Sequence, residues 1–175
     1  MPNFSAGSDV ILRTASSRVS VFFSRTYRPS TLGKLPETLG WGFPASLGAR
    51  CAAPDRPVVC FTGDGGFWYH VGELETAARW NIATVVVVNN NRSLNQVKRG
   101  AERIYGGQPG KSDQIWQFTD VDFARVAESM GCVGIRVTKP GDLQGALEKA
   151  LRSRRPAVVD CVSDILGIAP PPWSP

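Results

Sequence analysis

The chain is poor in the residues that build metal and disulfide centres. It has one histidine, His70, in 175 residues, so a histidine-rich site is excluded. Its four cysteines, Cys51, Cys60, Cys132 and Cys161, show no CxxC spacing, which removes a zinc site as well. Cys60, Cys132 and Cys161 fall in or beside apolar runs and read as buried free thiols of a reducing compartment. No apolar run approaches the ~20 residues that span a bilayer, and no signal-peptide core is present. The sequence therefore predicts no membrane partner and a cytoplasmic location. The Arg- and Ser-rich, acid-poor start is similar in composition to an organelle transit peptide, but nothing marks a cleavage site. A clustered basic stripe with interleaved aromatics is also missing, so no nucleic-acid partner is expected. The net charge of +5 is mild and sits largely in the first 37 residues, where Arg13, Arg18, Arg25, Arg28 and Lys34 face only Asp9 and Glu37.

What remains is the composition of an ordinary globular domain, 42% hydrophobic and 20% charged, long enough to bury a core. Residues 1–37 are irregular in pattern, with one alternating patch at residues 19–23, and are expected to be poorly ordered or to add a stray strand. Regular patterning begins near Leu39. Residues 43–52 read as a short helix with Pro44 in its first turn, and residues 58–62 as a strand covered on both faces. Residues 71–80 read as a helix with Val71, Leu74 and Ala78 on one side, and 83–88 as a second buried strand. From Arg92 to Thr119 the pattern is that of a long polar loop. Asp120 is expected to cap a helix with the stripe Phe123, Val126, Ala127 and Met130, stopped by Gly131. Residues 133–137 form a strand, Asp142 caps a last helix, and residues 156–162 form a final strand. The tail Pro170-Pro171-Pro172-Trp173 extends neither helix nor sheet. Strands alternating with helices predict an α/β three-layer sandwich, a mostly parallel sheet with helices on both faces. The expected division is an irregular segment at 1–37, a cofactor domain at 38–168 and a Pro-rich tail at 169–175.

Two features lie at the carboxyl ends of neighbouring predicted strands, where ligands of such folds bind. The first is Gly63-Asp64-Gly65-Gly66. The second is Asn89-Asn90-Asn91. Mg²⁺ takes oxygen ligands in an octahedron and few protein carboxylates, leaving places for phosphate and water. Asp64 offers a carboxylate, Asn91 a carboxamide oxygen, and Ser93 a backbone carbonyl just beyond. Gly65 and Gly66 let the backbone approach phosphate oxygens, and the helix starting near His70 turns its positive end to the same anion. Either feature alone is more often a capped tight turn; together, across one helix, they point to a metal-bound diphosphate. The pattern is not GxGxxG, because position 68 is Trp, and no GK[ST] follows for a P-loop.

The segment GDGGFWYHVGELETAARWNIATVVVVNNN resembles the motif of thiamine diphosphate-dependent enzymes, with the spacing from Asp64 to Asn91 (91 − 64 = 27) found in acetolactate synthase-like members. Residues 39–49, the pairs Glu73-Leu74 and Thr76-Ala77, residues 122–124 and residues 156–160 also resemble that family, over roughly 38–165. The resemblance implies the thiamine diphosphate-binding fold, with thiamine diphosphate and Mg²⁺ as cofactors. It implies that Asp64, Asn91 and the Ser93 carbonyl ligate the metal. Gly65 and Gly66 would meet the diphosphate within the Gly63–Gly66 turn. Leu39 would hold the cofactor bent, with Gly40 near the aminopyrimidine. The implied chemistry is decarboxylation of a 2-oxo acid followed by carboligation or release.

Family enzymes are several times longer, and the glutamate that acts on the aminopyrimidine lies in a separate domain, usually of another subunit. The expectation is therefore a C-terminal cofactor domain, a truncated product or half of a split enzyme. Such a chain would be inactive alone and would join a homo-oligomer or a partner chain carrying the pyrimidine-binding domain. A non-catalytic cofactor-binding subunit and an unrelated α/β phosphate-binding domain stay open as alternatives, and no catalytic side chain is assigned. His70 reads as a helix-start or solvent-facing residue, and Glu73 as a residue favoured by a helix N-terminus. Trp41, Phe67, Trp68 and Trp80 read as core, with a cofactor or subunit surface as the alternative, and Arg152, Arg154 and Arg155 as cations at a helix C-terminus. Arg92, Lys98, Arg99 and Arg103 could serve an anionic substrate or simply be solvated.

Overall fold

The structure is a computed structural model and describes residues 11–15, 39–106 and 110–167. Among the described residues, five strands form one sheet in the order β1-β2-β3-β5-β4, every pair parallel. They are β1 (Ile11–Ala15), β2 (Val58–Gly63), β3 (Thr84–Asn90), β4 (Val133–Val137) and β5 (Ala157–Val162). The helices are α1 (Gly42–Ala52), α2 (Asp64–Trp68), α3 (Glu73–Arg79), α4 (Asn95–Tyr105), α5 (Phe123–Ser129) and α6 (Leu143–Arg152).

The strand order dictates the layers. From β1 through β4 each connection advances in one direction, and right-handed crossovers then place the connecting helices on one face. There, Phe43 and Leu47 of α1, Phe67 of α2, Leu74 and Ala77 of α3, and Phe123 and Ala127 of α5 pack on Cys60, Val86, Val88 and Val158. The step from β4 to β5 goes backwards, so α6 crosses the opposite face, where Ala146 and Ala150 pack on Val59, Val85, Val87 and Val159. Alternate residues of β2, β3 and β5 thus serve opposite cores, which is why these strands read as continuous apolar runs rather than as alternating ones. Each such Val or Phe taken fully from water contributes roughly 1.5–3 kcal/mol. The predicted three-layer α/β fold is the one observed.

Several local expectations are revised. Residues 11–15 of the irregular N-terminal segment form the edge strand β1, paired in register with Val58–Thr62; the alternating patch at 19–23 and the Pro-rich tail lie outside the described residues. The polar stretch after Arg92 is not a plain loop but carries α4 and a 3₁₀ turn at Ser112–Ile115. Val97, Ala101 and Ile104 recur at helical spacing, but Gly100 and the surrounding charges hid the period. Only Ala101 of α4 is buried. Asp120 does not cap α5. Asp122 does, accepting the Arg125 N–H at 3.0 Å, because it stands one position before the first helical residue. Asp142 occupies the N-cap of α6 without a side-chain cap bond. Trp80 is 70% exposed, while Phe67 is fully buried.

Candidate functional site

The carboxyl end of β2 runs directly into α2, whose first residue is Asp64. The predicted helix start near His70 is therefore revised. The first turn that follows β2 belongs to α2, and His70 lies exposed in the turn before α3. Three aromatic contacts fix α2. Phe67 packs on Phe43 (5.4 Å) and edge-on to Phe123 (5.3 Å), and Trp68 meets Phe123 at 5.1 Å. Such pairs add about 0.5–1.5 kcal/mol each beyond their burial.

Asp64 is buried, 2% exposed. Its Oδ1 accepts the Gly65 N–H at 2.7 Å and its Oδ2 accepts the Ser93 N–H at 3.1 Å. Burial pushes its carboxyl above the ordinary value, and backbone N–H groups of Gly65, Ser93, Arg92 and Asn91 pull it back down. Asn91 Oδ1 accepts the same Ser93 N–H, also at 3.1 Å, and the Ser93 hydroxyl at 3.2 Å. The carboxylate oxygen and the carboxamide oxygen are therefore no farther apart than twice 3.1 Å. Ser93 is turned this way by a short antiparallel bridge to Gln117. Phe118 N–H donates to Arg92 C=O at 2.7 Å and Leu94 N–H to Trp116 C=O at 2.8 Å. In that pattern the N–H and carbonyl of the intervening residue both face away from the partner strand. For Ser93, that is the side of Asp64.

The glycines differ in what they do. A Cβ on Gly65 would stand 2.5 Å from Leu94 Cδ2, so the segment after β3 lies directly on the α2 turn. The Gly65 N–H is spent on Asp64, which leaves the Gly66 N–H, in the first turn of α2, without an intrahelical acceptor. Gly63 has nothing within 4 Å of a would-be Cβ. Gly40 has φ +92°, and a Cβ there would lie 2.6 Å from Tyr69 Cβ and 3.2 Å from Gly66 C=O. Gly40 thus brings the 39–41 turn against α2, with Leu39 half-buried beside it.

A cleft of ≈ 500 Å³ opens next to this cluster, between Gly65, Trp68 and Tyr69 on one side and Leu94, Gln117 and Phe118 on the other. A second cleft of ≈ 370 Å³, lined by Arg50, Asp55, Pro57 and Arg154 among others, lies at the amino ends of β2 and β3 and holds none of the predicted site residues. The donors at the first site are one carboxylate, one carboxamide and a carbonyl-bearing backbone turn. Among the described residues no group of three or more His, Cys, Asp or Glu side chains is placed to hold a metal ion. An oxygen-only set with a single carboxylate suits Mg²⁺ shared with phosphate rather than a thiolate or imidazole metal. Lys98, one of the loop cations, faces the Trp116 ring at 5.4 Å and pairs with Glu102 at 3.7 Å instead.

The sequence reading missed the wall formed by Leu94, Gln117 and Phe118, because it took 92–119 as one loop. It also gave no role to Asn90 and Asp160. A lone aspartate inside the apolar run of residues 156–162 was the available signal, since a charge in a strand buried on both faces needs partners.

A parallel sheet that brings a buried carboxylate and a carboxamide together at the carboxyl ends of adjacent strands, beside an open cleft, defines an α/β cofactor-binding domain. The chain belongs to the thiamine pyrophosphate enzymes, matching the family's C-terminal TPP binding domain over residues 16–161. It is 41% identical over 113 residues to the acetolactate synthase large subunit of Haemophilus influenzae, covering 65% of this chain and 19% of that protein. It is 39% identical over 130 residues to the acetolactate synthase isozyme 3 large subunit of Escherichia coli, covering 73% and 22%. The thiamine diphosphate-dependent 4-hydroxybenzoylformate decarboxylase of Rhodococcus jostii RHA1 superposes with a TM-score of 0.71 at 25% identity, over 89% of this chain and 30% of that one. The chain spans about a fifth of the length of the acetolactate synthase subunits it matches. Among the described residues no helix is long and apolar enough to cross a membrane.

Proposed function

We propose that this domain holds thiamine diphosphate through Mg²⁺ and serves an acetolactate synthase-like enzyme that decarboxylates a 2-oxo acid and passes on or releases the product. Bound thiamine diphosphate supplies an electron sink for cleavage beside a carbonyl. Asp64, Asn91 and the Ser93 carbonyl are the metal's protein ligands. The Gly66 N–H, with the backbone of Gly63 and Gly65 lining the turn, meets the diphosphate. Leu39 supports the bend of the cofactor, and Gly40 lies on its aminopyrimidine side.

The observation that supports this reading best is the single Ser93 N–H shared by Asp64 and Asn91, which draws their oxygens to one point. A cation there would be balanced by the charge that the diphosphate brings. Calorimetry of the 175-residue chain with thiamine diphosphate tests it. Binding should require Mg²⁺ and vanish in Asp64→Ala; affinity unchanged by either would remove the assignment.

Family membership sets aside an unrelated phosphate-binding domain. Catalysis by these residues alone is not part of the proposal. The pyrimidine side of the site comes from outside them, in a longer chain, a second copy or a partner chain, and a non-catalytic cofactor subunit is the limiting form of that arrangement. Pyruvate turnover by the purified 175 residues without any added chain would refute it. A reducing, cytoplasmic setting is part of the proposal, and none of the four cysteines stands in a disulfide.

A further inference from the structure

Behind the site lies a second polar cluster, whose central carboxylate is buried in the sheet. Asp160, in β5, is 0% exposed. Its Oδ1 accepts the Asn90 side-chain N–H at 2.9 Å. Its Oδ2 accepts the Phe123 backbone N–H and one Arg136 N–H, each at 3.1 Å. Asn90 donates further to Val121 C=O at 3.0 Å, and Arg136 to the same carbonyl at 3.2 Å. Arg136 also reaches Asp120 at 3.0 Å and Asp122 at 3.6 Å.

The two ends of this cluster lead to the two halves of the site. Asn90 is the residue before Asn91, at the tip of β3. Phe123 packs edge-on against Phe67 and Trp68, which carry the turn holding Asp64, Gly65 and Gly66. Val121 stands two residues after Thr119, which lines the cleft mouth. One carboxylate therefore ties β3, the 119–123 segment and, through Phe123, the α2 turn to the same point.

A stability role alone does not account for this choice. Burying a carboxylate and a guanidinium costs desolvation that an apolar pair of the same volume avoids, so such pairs do not raise stability by their mere presence. A directional cluster does fix geometry. Its bonds run to the strand tip next to a metal ligand and to the neighbour of α2, not to the far side of the sheet.

Building on the proposed metal site, we infer that Asp160, held by Arg136, is a positioning residue: through Asn90 and Phe123 it sets the separation between the Asn91 and Asp64 oxygens. Its function is carried through other residues, because it touches neither cleft nor ligand. Outer groups that orient metal ligands are worth about 10- to 100-fold in affinity when removed.

Amide exchange on the 175-residue chain without cofactor tests this directly, with Ser93 N–H as the reporter, since that hydrogen is the one shared by Asp64 and Asn91. In Asp160→Asn, exchange at Ser93 should accelerate far more than at Val86 in the middle of β3. Val159→Ala, which opens a cavity next door without touching the polar cluster, should accelerate both alike. An unchanged Ser93 amide, or a loss of protection spread evenly over β2, β3 and β5, would overturn the inference. If Asp160→Asn does not fold, Asn90→Ala decides by the same criterion, because it cuts the link and leaves the Asp160–Arg136 pair in place. Calorimetry adds the functional reading. Asp160→Asn should weaken Mg²⁺-dependent thiamine diphosphate binding by about 10- to 100-fold, beyond any effect of Val159→Ala. Absence of binding by the unsubstituted chain would instead strike the proposed function, while the Ser93 amide would still decide the positioning role.

Discussion

Asp64 Oδ2 and Asn91 Oδ1 accept one and the same hydrogen, the backbone N–H of Ser93, each at 3.1 Å. Without a cation, this donor keeps two oxygen atoms from repelling each other; with one, the same two atoms have to turn toward it. On the proposed metal site, Asn91 is worth little to the fold and much to the cation. Asn91→Ala is expected to cost under about 1 kcal/mol in stability, as for a half-exposed polar side chain. It is expected to weaken Mg²⁺-dependent thiamine diphosphate binding by at least about tenfold, or about 1.4 kcal/mol. Thermal unfolding and calorimetry on one preparation check both numbers.

Gly40 is a position beside the site where the backbone tolerates no side chain. Its φ of +92° and the 2.6 Å approach to Tyr69 Cβ both act against a methyl group. Gly40→Ala should destabilise by about 2–4 kcal/mol, combining left-handed strain with overpacking. The change presses on Tyr69 and Gly66, so α2 should shift with it. Denaturant midpoints give the first quantity, and Trp68 fluorescence follows the second. A substitution as silent as Gly48→Ala, where nothing lies within 4 Å, would contradict the reading.

Arg136 carries a pH-dependent share of stability. Burial pushes the Asp160 carboxyl above its ordinary 3.8, while the Asn90 hydrogen bond, the Arg136 charge and the Phe123 N–H pull it down and Asp122 pushes it up. A raised folded-state pKa means that the folded chain holds the proton more tightly than the unfolded one. Stability from this group is then fullest below 3.8 and declines as pH rises through the folded value. Arg136→Gln removes the compensating cation and carries that decline on to higher pH. The arginine side chain keeps 24% of its surface, so the loss at neutral pH should be about 2 kcal/mol rather than the ~3–5 kcal/mol of a fully buried pair. The difference between the two chains in urea unfolding should shrink toward pH 3.8.

The thiols should sort by environment. Cys51 is exposed, whereas Cys60 and Cys132 are buried. Burial pushes Cys132 up to about 11, against a lowering by Arg155, and burial together with the Asp160 charge pushes Cys161 up to about 11. Thiolates are the reactive form. Alkylation of the folded chain at neutral pH should label Cys51 well before the other three, as peptide mass spectrometry would read. Rapid labelling of Cys161 would mean that the carboxyl end of β5 opens in solution.

The sheet was legible because valine runs buried on both faces leave a continuous apolar signal, as in residues 85–88, and because Gly63 and Asn89 close the runs of β2 and β3. The meeting of Asp64 and Asn91 followed from their places at adjacent strand ends. What stayed hidden depended on contacts distant in the chain. Gly65 is small because Leu94 lies on it, and that is visible only once the Ser93–Gln117 bridge folds the 92–119 segment back. The start of α2 at Asp64 was masked by two glycines with poor helix propensity, overridden by the packing of Phe67 between Phe43 and Phe123. Asp122 displaced Asp120 as the cap because α5 starts at Phe123, which leaves Asp120 three positions out, where it pairs with Arg136 sixteen positions on.

The strand order has a temporal side. β5 is last in sequence among the described strands yet lies between β3 and β4, flanked on both edges. As the polypeptide emerges amino end first, β3 waits with one edge bare for more than sixty further residues, until Ala157–Val162 arrives to fill the gap. Pairings of such long sequence separation form slowly. Nascent chains halted before that point should therefore expose a hydrophobic β3 edge to chaperones, and cofactor capture should begin only after the middle of the sheet has been laid.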